Sequence, residues 1–256
     1  MLKMPIILIT NDDGIDSDGI FALWKAMSQL GDAYVVAPDI DRSASSNSMT
    51  ISKPLKVKTV TKLNRFSGYS VDGTPVDCVK IAVKSLLKNK PDVLISGINN
   101  GSNLGDNIIY SGTVAAATEG AMLGIPSIAV SLDSHKPTDY NCAKYFSALI
   151  VKNVLKNGLS KGVVLNVNIP NIKKNQINGV RITKQGNQSF EDEYEKQADN
   201  KGVSEYMIKG KIVDNDNSVD YDGKAVKENY VSITPIKYNL TELSYIEKLM
   251  INYNNE

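Results

Sequence analysis

The sequence predicts an α/β protein with a mainly parallel sheet covered on both faces, a three-layer arrangement. Three observations point there. Short, continuously apolar runs such as Ile6–Thr10 read as strands buried on both faces. Segments with apolar residues at helical spacing alternate with them. Polar, glycine-containing turns, rather than long loops, join the two kinds of segment.

The elements follow in order. After Ile6–Thr10, the residues Ile20, Leu23, Trp24, Met27 and Leu30 recur at helical spacing, and Gly31 marks the stop. Tyr34–Ala37 is a strand ended by Pro38. Leu55–Val60 alternates apolar with polar, as a half-exposed strand does. Thr74-Pro75 opens a helix, with Thr as N-cap, Pro in the first turn and Asp77 close behind. Val93–Ile95 is a buried strand. Thr113–Leu123 is an Ala-rich helix closed by Gly124-Ile125-Pro126, and Ser127–Val130 is the next strand. Ala143, Phe146, Ile150 and Val154 mark a helix stopped by Gly158, and Val163–Val167 follows as a strand.

After about Pro170 the pattern changes. Asn187–Gly202 is polar and charged, Asn215–Gly223 is acidic, Tyr230–Thr234 reads as a strand, and a helix is expected from about Thr241 to Asn252. The whole of 1–256 is expected to be one domain. Residues 1–170 would form the core, and 171–256 a hairpin and helix arm outside the central sheet used in subunit contacts.

Composition narrows the function. The chain has 256 residues, 29 basic and 28 acidic, with a formal net charge of +1. That balance gives no reason to expect a nucleic-acid polymer or a membrane as partner. Cys78 and Cys142 form no CxxC pair, which points to reduced thiols and a cytoplasmic location. The apolar run near the start is too short for a signal segment. The single histidine, His135, excludes a His-rich zinc site. No GxGxxG follows the first strand and no GxxxxGK[ST] occurs, which argues against a dinucleotide fold or a P-loop.

In open parallel sheets, ligands sit beyond the carboxyl ends of the strands. Three such ends carry polar residues: Asn11-Asp12-Asp13-Gly14, Pro38-Asp39-Ile40-Asp41-Arg42-Ser43 and Ser96-Gly97-Ile98-Asn99-Asn100-Gly101. If their strands are neighbours, the three meet at one crevice. Adjacent carboxylates at a buried strand end repel unless a cation or hydrogen bonds offset the repulsion. The alternative is that Asp12 or Asp13 caps the next helix or shapes the turn. Asp12, Asp13, the Ser43 hydroxyl and the Asn99 carbonyl make an all-oxygen donor set suited to Mg²⁺, Mn²⁺ or Ca²⁺. Ser111-Gly112-Thr113 opens the Ala-rich helix, whose N-terminus carries about +0.5 elementary charge and free N–H groups, a cradle for phosphate. Arg42 has two readings, a phosphate partner or an ion pair with Asp39 or Asp41. His135 is left outside the core site.

These residues resemble the survival protein SurE family of metal-dependent 5′/3′-nucleotidases. The likeness runs through Ile7-Leu8-Ile9-Thr10-Asn11-Asp12-Asp13-Gly14, Val36-Ala37-Pro38-Asp39 with Arg42-Ser43-Ala44, and Gly73-Thr74-Pro75 with Asp77-Cys78-Val79. It continues in Ser96-Gly97-Ile98-Asn99 with Gly101 and Asn103, Ser111-Gly112-Thr113-Val114, and Tyr230-Val231-Ser232-Ile233-Thr234-Pro235. The resemblance implies a Rossmann-like core and a C-terminal arm exchanged between subunits in homodimers or homotetramers. It implies hydrolysis of nucleoside 5′-monophosphates, with 3′-monophosphates and short polyphosphate as further substrates. Carried over by motif, Asp12, Asp13, Ser43 and Asn99 would hold one divalent ion per subunit, Mg²⁺ or Mn²⁺ first. Ser111, Gly112 and Thr113 match the stretch beside the phosphate. The chain departs from the family at Asn100, where Arg or Lys is common, in Tyr206–Gly210, which lacks a frequent Trp, and at Asn229, where Gly is usual.

The expected mechanism is direct attack by water that the metal activates, with Asp12 or Asp13 orienting it. Asn99, Asn103 and the Ser111–Thr113 helix end would hold the phosphoryl oxygens. An aspartyl-phosphate phosphatase needs a second Asp two residues from its nucleophile, and here the pair is adjacent. A receiver domain needs an Asp where Asn99 stands.

Overall fold

The computed structural model describes residues 4–61, 66–137, 139–200 and 202–253. The core strands are β1 (Ile6–Thr10), β2 (Asp32–Pro38), β3 (Val57–Thr61), β4 (Ser67–Val71), β5 (Val93–Asn100), β6 (Ser127–Asp133) and β7 (Val163–Pro170). Further on come β8 (Gly179–Ile182), β9 (Ser189–Asn200), β10 (Val203–Val213) and β11 (Tyr230–Lys237). The helices are α1 (Asp18–Met27), α2 (Pro75–Ile81), α3 (Gly112–Met122), α4 (Asn141–Asn157), α5 (Asp222–Lys227) and α6 (Leu243–Tyr253).

Among the described residues, nine strands form one sheet in the order β3-β4-β2-β1-β5-β6-β7-β11-β8. The strands from β4 to β7 run parallel, while β3 and β11 pair antiparallel with their neighbours β4 and β7. The chain steps outward from β1 to β2 on one side, then returns to place β5 on the other. A crevice opens where the direction of travel reverses in this way.

Alternation along β1 shows how the layers form. Ile7 and Ile9 face one side, packed with Ile20, Leu23 and Met27 of α1 and Phe146 and Ile150 of α4. Leu8 faces the other side, packed with Cys78 and Val79 of α2 and Val114 and Ala117 of α3. All three β1 side chains are fully buried, and each such burial contributes roughly 1.5–3 kcal/mol. Caps mark the helix starts. Thr74 accepts from Asp77 N while the Asp77 carboxylate accepts from Thr74 N, so α2 begins in a capping box.

The C-terminal region departs from expectation. The segment after Pro170 does not stay outside the central sheet. β11 pairs along β7 from Ser232–Asn168 to Lys237–Val163, and β8 pairs with β11. Only β9 and β10 form a separate two-stranded hairpin. The physical reason is that β7 exposes a free edge after the parallel run, and the apolar Val231 is fully buried by taking that edge. Asn229, at the start of β11, has φ 61°, a left-handed conformation that Gly adopts freely and Asn tolerates. β4, β8, α5 and the placing of the two strands within the expected hairpin are additions to the sequence reading.

Candidate active site

The site is built from three adjacent strand ends. The order β2-β1-β5 makes them neighbours, and Thr10 pairs in register with Ser96, so the chain leaves β1 beside the irregular end of β5. A cis peptide joins Gly97 to Ile98 in that stretch.

Asn11 shapes the turn after β1. Its side-chain amide donates to Gly14 O at 2.9 Å and to Ser17 Oγ at 2.8 Å. Ser17 is in turn the N-cap of α1, accepting from Ile20 N. Gly14 has φ 90° and lies against Ile40, where an added Cβ would come within 3.0 Å of backbone. Turn shaping and helix capping therefore fall to Asn11, Gly14 and Ser17. Neither Asp12 nor Asp13 caps α1, and both carboxylates remain available for other work.

Asp12 is buried, 3% exposed. The Thr113 hydroxyl donates to its Oδ1, and its backbone carbonyl accepts from Arg42 N at 2.7 Å. Burial pushes the Asp12 carboxyl up, against the pull of the hydrogen bonds from Thr113. Asp13 is pushed up to about 7, first by burial and then by the negative charge of Asp12. The Asn100 amide, 3.4 Å from Asp13 Oδ2, offsets this only weakly.

The other two expected donors lie at the neighbouring strand ends. Ser43 is exposed, and both its N–H and its hydroxyl donate to Asp41 Oδ1, at 2.7 and 2.6 Å. The Asn99 side-chain amide donates to Gly101 O at 2.8 Å, which turns its nitrogen away and fixes its carbonyl oxygen as the free end. Among the described residues no group of three or more His, Cys, Asp and Glu side chains is placed to hold a metal. The donor set is two carboxylates with neutral oxygens, which suits a hard cation.

The helix start faces the same place. Ser111 caps α3 by accepting from Val114 N at 3.1 Å. A Cβ on Gly112 would stand 2.8 Å from Asp12 Cβ and 2.8 Å from Ser45 Oγ, so only glycine lets the helix end approach this closely. The Thr113 hydroxyl is committed to Asp12. Asn103 lies further in. Its amide donates to Ser131 Oγ at 2.8 Å, its N–H donates to Asn168 Oδ1, and its carbonyl accepts from Asn166 and Asn168. In this arrangement it braces the loop between β5 and α3.

Arg42 pairs with Asp39 at 3.3 Å, one of its two expected uses. The His135 ring lies against Gly101. Two residues escaped the sequence reading. Ser45 Oγ is buried beside Gly112 with no hydrogen-bond partner among the described residues. Nothing in Ser43-Ala44-Ser45-Ser46 separates it from its neighbours. Tyr140 donates from its hydroxyl to Asn100 Oδ1 at 2.7 Å, a contact between elements distant in the chain.

An open, mostly parallel α/β sheet, with paired carboxylates and a helix N-terminus meeting at its reversal point, defines a protein of the Rossmann-like α/β class. Comparisons with known proteins make the class particular. The family model described as survival protein SurE matches residues 7–192, and the chain belongs to that family. It is 45% identical over 251 residues to the 5′-nucleotidase SurE of Natranaerobius thermophilus, covering 95% of this chain and 96% of that one. It is 46% identical over 250 residues to the 5′-nucleotidase SurE of Christiangramia forsetii, covering 96% of each. The crystal structure of SurE from Aquifex aeolicus superposes with a TM-score of 0.85 at 38% identity, covering 98% of this chain and all of that one.

Proposed function

We propose that this protein is a metal-dependent 5′-nucleotidase, which hydrolyses nucleoside 5′-monophosphates to nucleoside and phosphate. The observation that carries the reading is the Asp12-Asp13 pair, with Asp12 buried and Asp13 half-buried. Both carboxyls are raised by burial and Asp13 also by its neighbour's charge, and Asp12 stands against the N-terminus of α3. The family membership and the relatives named 5′-nucleotidase support the same reading.

The residues fit a divalent ion. Two like charges in a buried turn are stabilised by a cation, and the oriented carbonyl of Asn99 and the lone pairs of Ser43 complete an oxygen set. Asp12, Asp13, Ser43 and Asn99 would hold one Mg²⁺ or Mn²⁺ per subunit, with Ca²⁺ as a substitute. When bound, such an ion polarises the phosphoryl oxygen and acidifies water.

In the reaction a water oxygen bonds to phosphorus as that water gives up a proton, the ester P–O bond breaks, and the leaving alcohol oxygen takes up a proton, so that one water is consumed per ester cleaved. Asp12, held by Thr113, and Asp13 orient the water. The Gly112 N–H at the start of α3 has no intrahelical acceptor, and with the hydroxyls of Ser111 and Ser45 it faces developing phosphoryl charge, while the Thr113 N–H and hydroxyl both hold Asp12. Asn103 belongs to this group through the loop it braces. The two free cysteines, Cys78 and Cys142, suit a reducing cytoplasm. No helix among the described residues is long and apolar enough to cross a membrane. Homodimers or homotetramers through residues 171–256 complete the reading. Apolar side chains exposed on β10 and α6, such as Met207, Ile208, Leu243 and Met250, support it.

The test is a panel of nucleoside 5′- and 3′-monophosphates and short polyphosphate, assayed after EDTA and with each metal restored. Activity lost to EDTA, restored by Mg²⁺ or Mn²⁺ and greatest on 5′-monophosphates is expected. Activity that survives full chelation contradicts the metal role, and a trapped phospho-aspartate contradicts direct water attack.

A further inference from the structure

A cavity of about 490 Å³ opens beside the strand-end site, within the size range of small-molecule pockets. Its lining includes Ala44, Asp106, Tyr110, Phe190, Asp192 and Tyr194. Ala44 directly follows Ser43, and Tyr110 directly precedes Ser111. Consecutive Cα atoms lie about 3.8 Å apart, so the cavity begins one residue away from a metal donor on one side and from the α3 cap on the other.

Its walls are tied together. Ser46 bonds the 3-10 turn Gly105–Tyr110 through its N–H to Tyr110 O at 3.1 Å and its hydroxyl to Ile109 O at 2.8 Å. Asp106 N donates to Gln188 O at 2.8 Å, at the root of β9. Asp222 accepts from Gly105 N at 3.1 Å and from Gly186 N at 2.9 Å, and so pins the turn and the hairpin root to each other.

The lining chemistry is selective. Tyr110, Phe190 and Tyr194 are 63%, 41% and 67% exposed, so their rings are available to a ligand. Asp106 and Asp192 add two carboxylates, and among the described residues the lining holds no Lys or Arg. Such walls repel a phosphate. They attract a flat group with π-faces and N–H donors on its edge.

We propose that this cavity is the nucleobase subsite, and that it selects guanine among the bases. The proposal rests on the nucleotidase reading of the adjacent site. A purine offers the larger stacking face. Guanine alone presents two adjacent donors, N1–H and N2–H, that one carboxylate accepts together, while adenine presents only its amino group and uracil a single N–H between two carbonyls.

The experiment compares kcat/KM for GMP, AMP, UMP and ribose 5-phosphate in the wild type, in Tyr110→Ala and in Asp106→Asn/Asp192→Asn. Ribose 5-phosphate carries the ester without a base. The wild type is expected to favour GMP over AMP, AMP over UMP, and GMP over ribose 5-phosphate by at least about 10-fold, mainly through KM, the scale of a stacked base. Each variant is expected to lose roughly 10-fold on GMP, with the loss confined to base-bearing substrates. Equal wild-type rates on GMP and ribose 5-phosphate, or variants that slow both alike, overturn the subsite while leaving the nucleotidase reading standing. A wild type that prefers UMP, or an Asp variant that keeps the GMP preference, overturns the guanine assignment. No hydrolysis of any of the four overturns both.

Discussion

The Thr113 hydroxyl, on the first turn of α3, donates to Oδ1 of Asp12, at the end of β1, across 101 positions of sequence. This bond fixes which oxygen of Asp12 faces the crevice. Thr113→Val keeps the shape and removes the donor. Loss of such an outer partner typically costs about 10–100-fold in metal affinity or activity. That loss is expected in titrations with Mn²⁺, with Thr113→Ser retaining most of the binding.

Gly112 brings the start of α3 directly against Asp12. The Cβ of Gly112→Ala would stand 2.8 Å from Asp12 Cβ and 2.9 Å from its Oδ2. Alanine favours the helix itself, so the fold should persist while Asp12 is displaced. Misplacement by about 1 Å can cost on the order of 100-fold in rate. Unchanged circular dichroism with at least that loss of kcat/KM is the expected pair of results.

The Asp13 carboxyl gives the metal-free protein a defined pH response. Its folded value of about 7 lies above an ordinary aspartate value of about 4. Its contribution to stability is then fully present below about pH 4 and is lost as pH rises through about 7. Metal-free protein should therefore have a lower Tm at pH 8 than at pH 5. Saturating Mn²⁺ should raise Tm by several °C at pH 8 and less at pH 5, where a proton must first leave. Asp13→Asn should flatten both responses. A metal-induced shift independent of pH would contradict the electrostatic account.

Asp222 is fully buried and accepts N–H groups from Gly105, Gly186 and Gly223 at 3.1, 2.9 and 2.8 Å. Burial raises its carboxyl against these bonds. Asp222→Ala orphans three donors, and each buried one costs about 1–3 kcal/mol. Chemical denaturation should show a loss of at least about 3 kcal/mol, and protease should cut first near Gln188, where the hairpin root is tied to the turn.

Much of the core was legible because its signals are local. Ile6–Thr10, Val93–Ile95 and Ser127–Val130 are apolar enough to announce buried strands, and Thr74-Pro75 and Gly158 punctuate helices whatever surrounds them. β4, Ser67–Val71, was not legible. It is short and holds two serines and a glycine, and it is a strand because β2 pairs with it. The C-terminal hairpin was legible only as a region, and its two strands could not be placed, for another reason. β9 and β10 pack on no core face, so no buried alternation marks them, and β10 is exposed along nearly its whole length.

The candidate site divides the same way. Asp12, Asp13, Ser43 and Asn99 stand at ends of strands that the sequence reveals. A general rule about where parallel sheets bind ligands nominates them together. Ser45, Tyr140 and the wall of Tyr110, Phe190 and Tyr194 depend on loops meeting after the chain has folded. The sequence by itself determined the layered α/β core and the acidic strand end, because burial and capping are written in short windows of residues. Only the tertiary structure decided that Asn11 and Ser17 shape the turn and leave both aspartates free, that Thr113 rather than solvent aligns Asp12, and that β11 returns to the sheet. Those outcomes rest on hydrogen bonds and edge pairings between residues far apart in the chain, which no local pattern encodes.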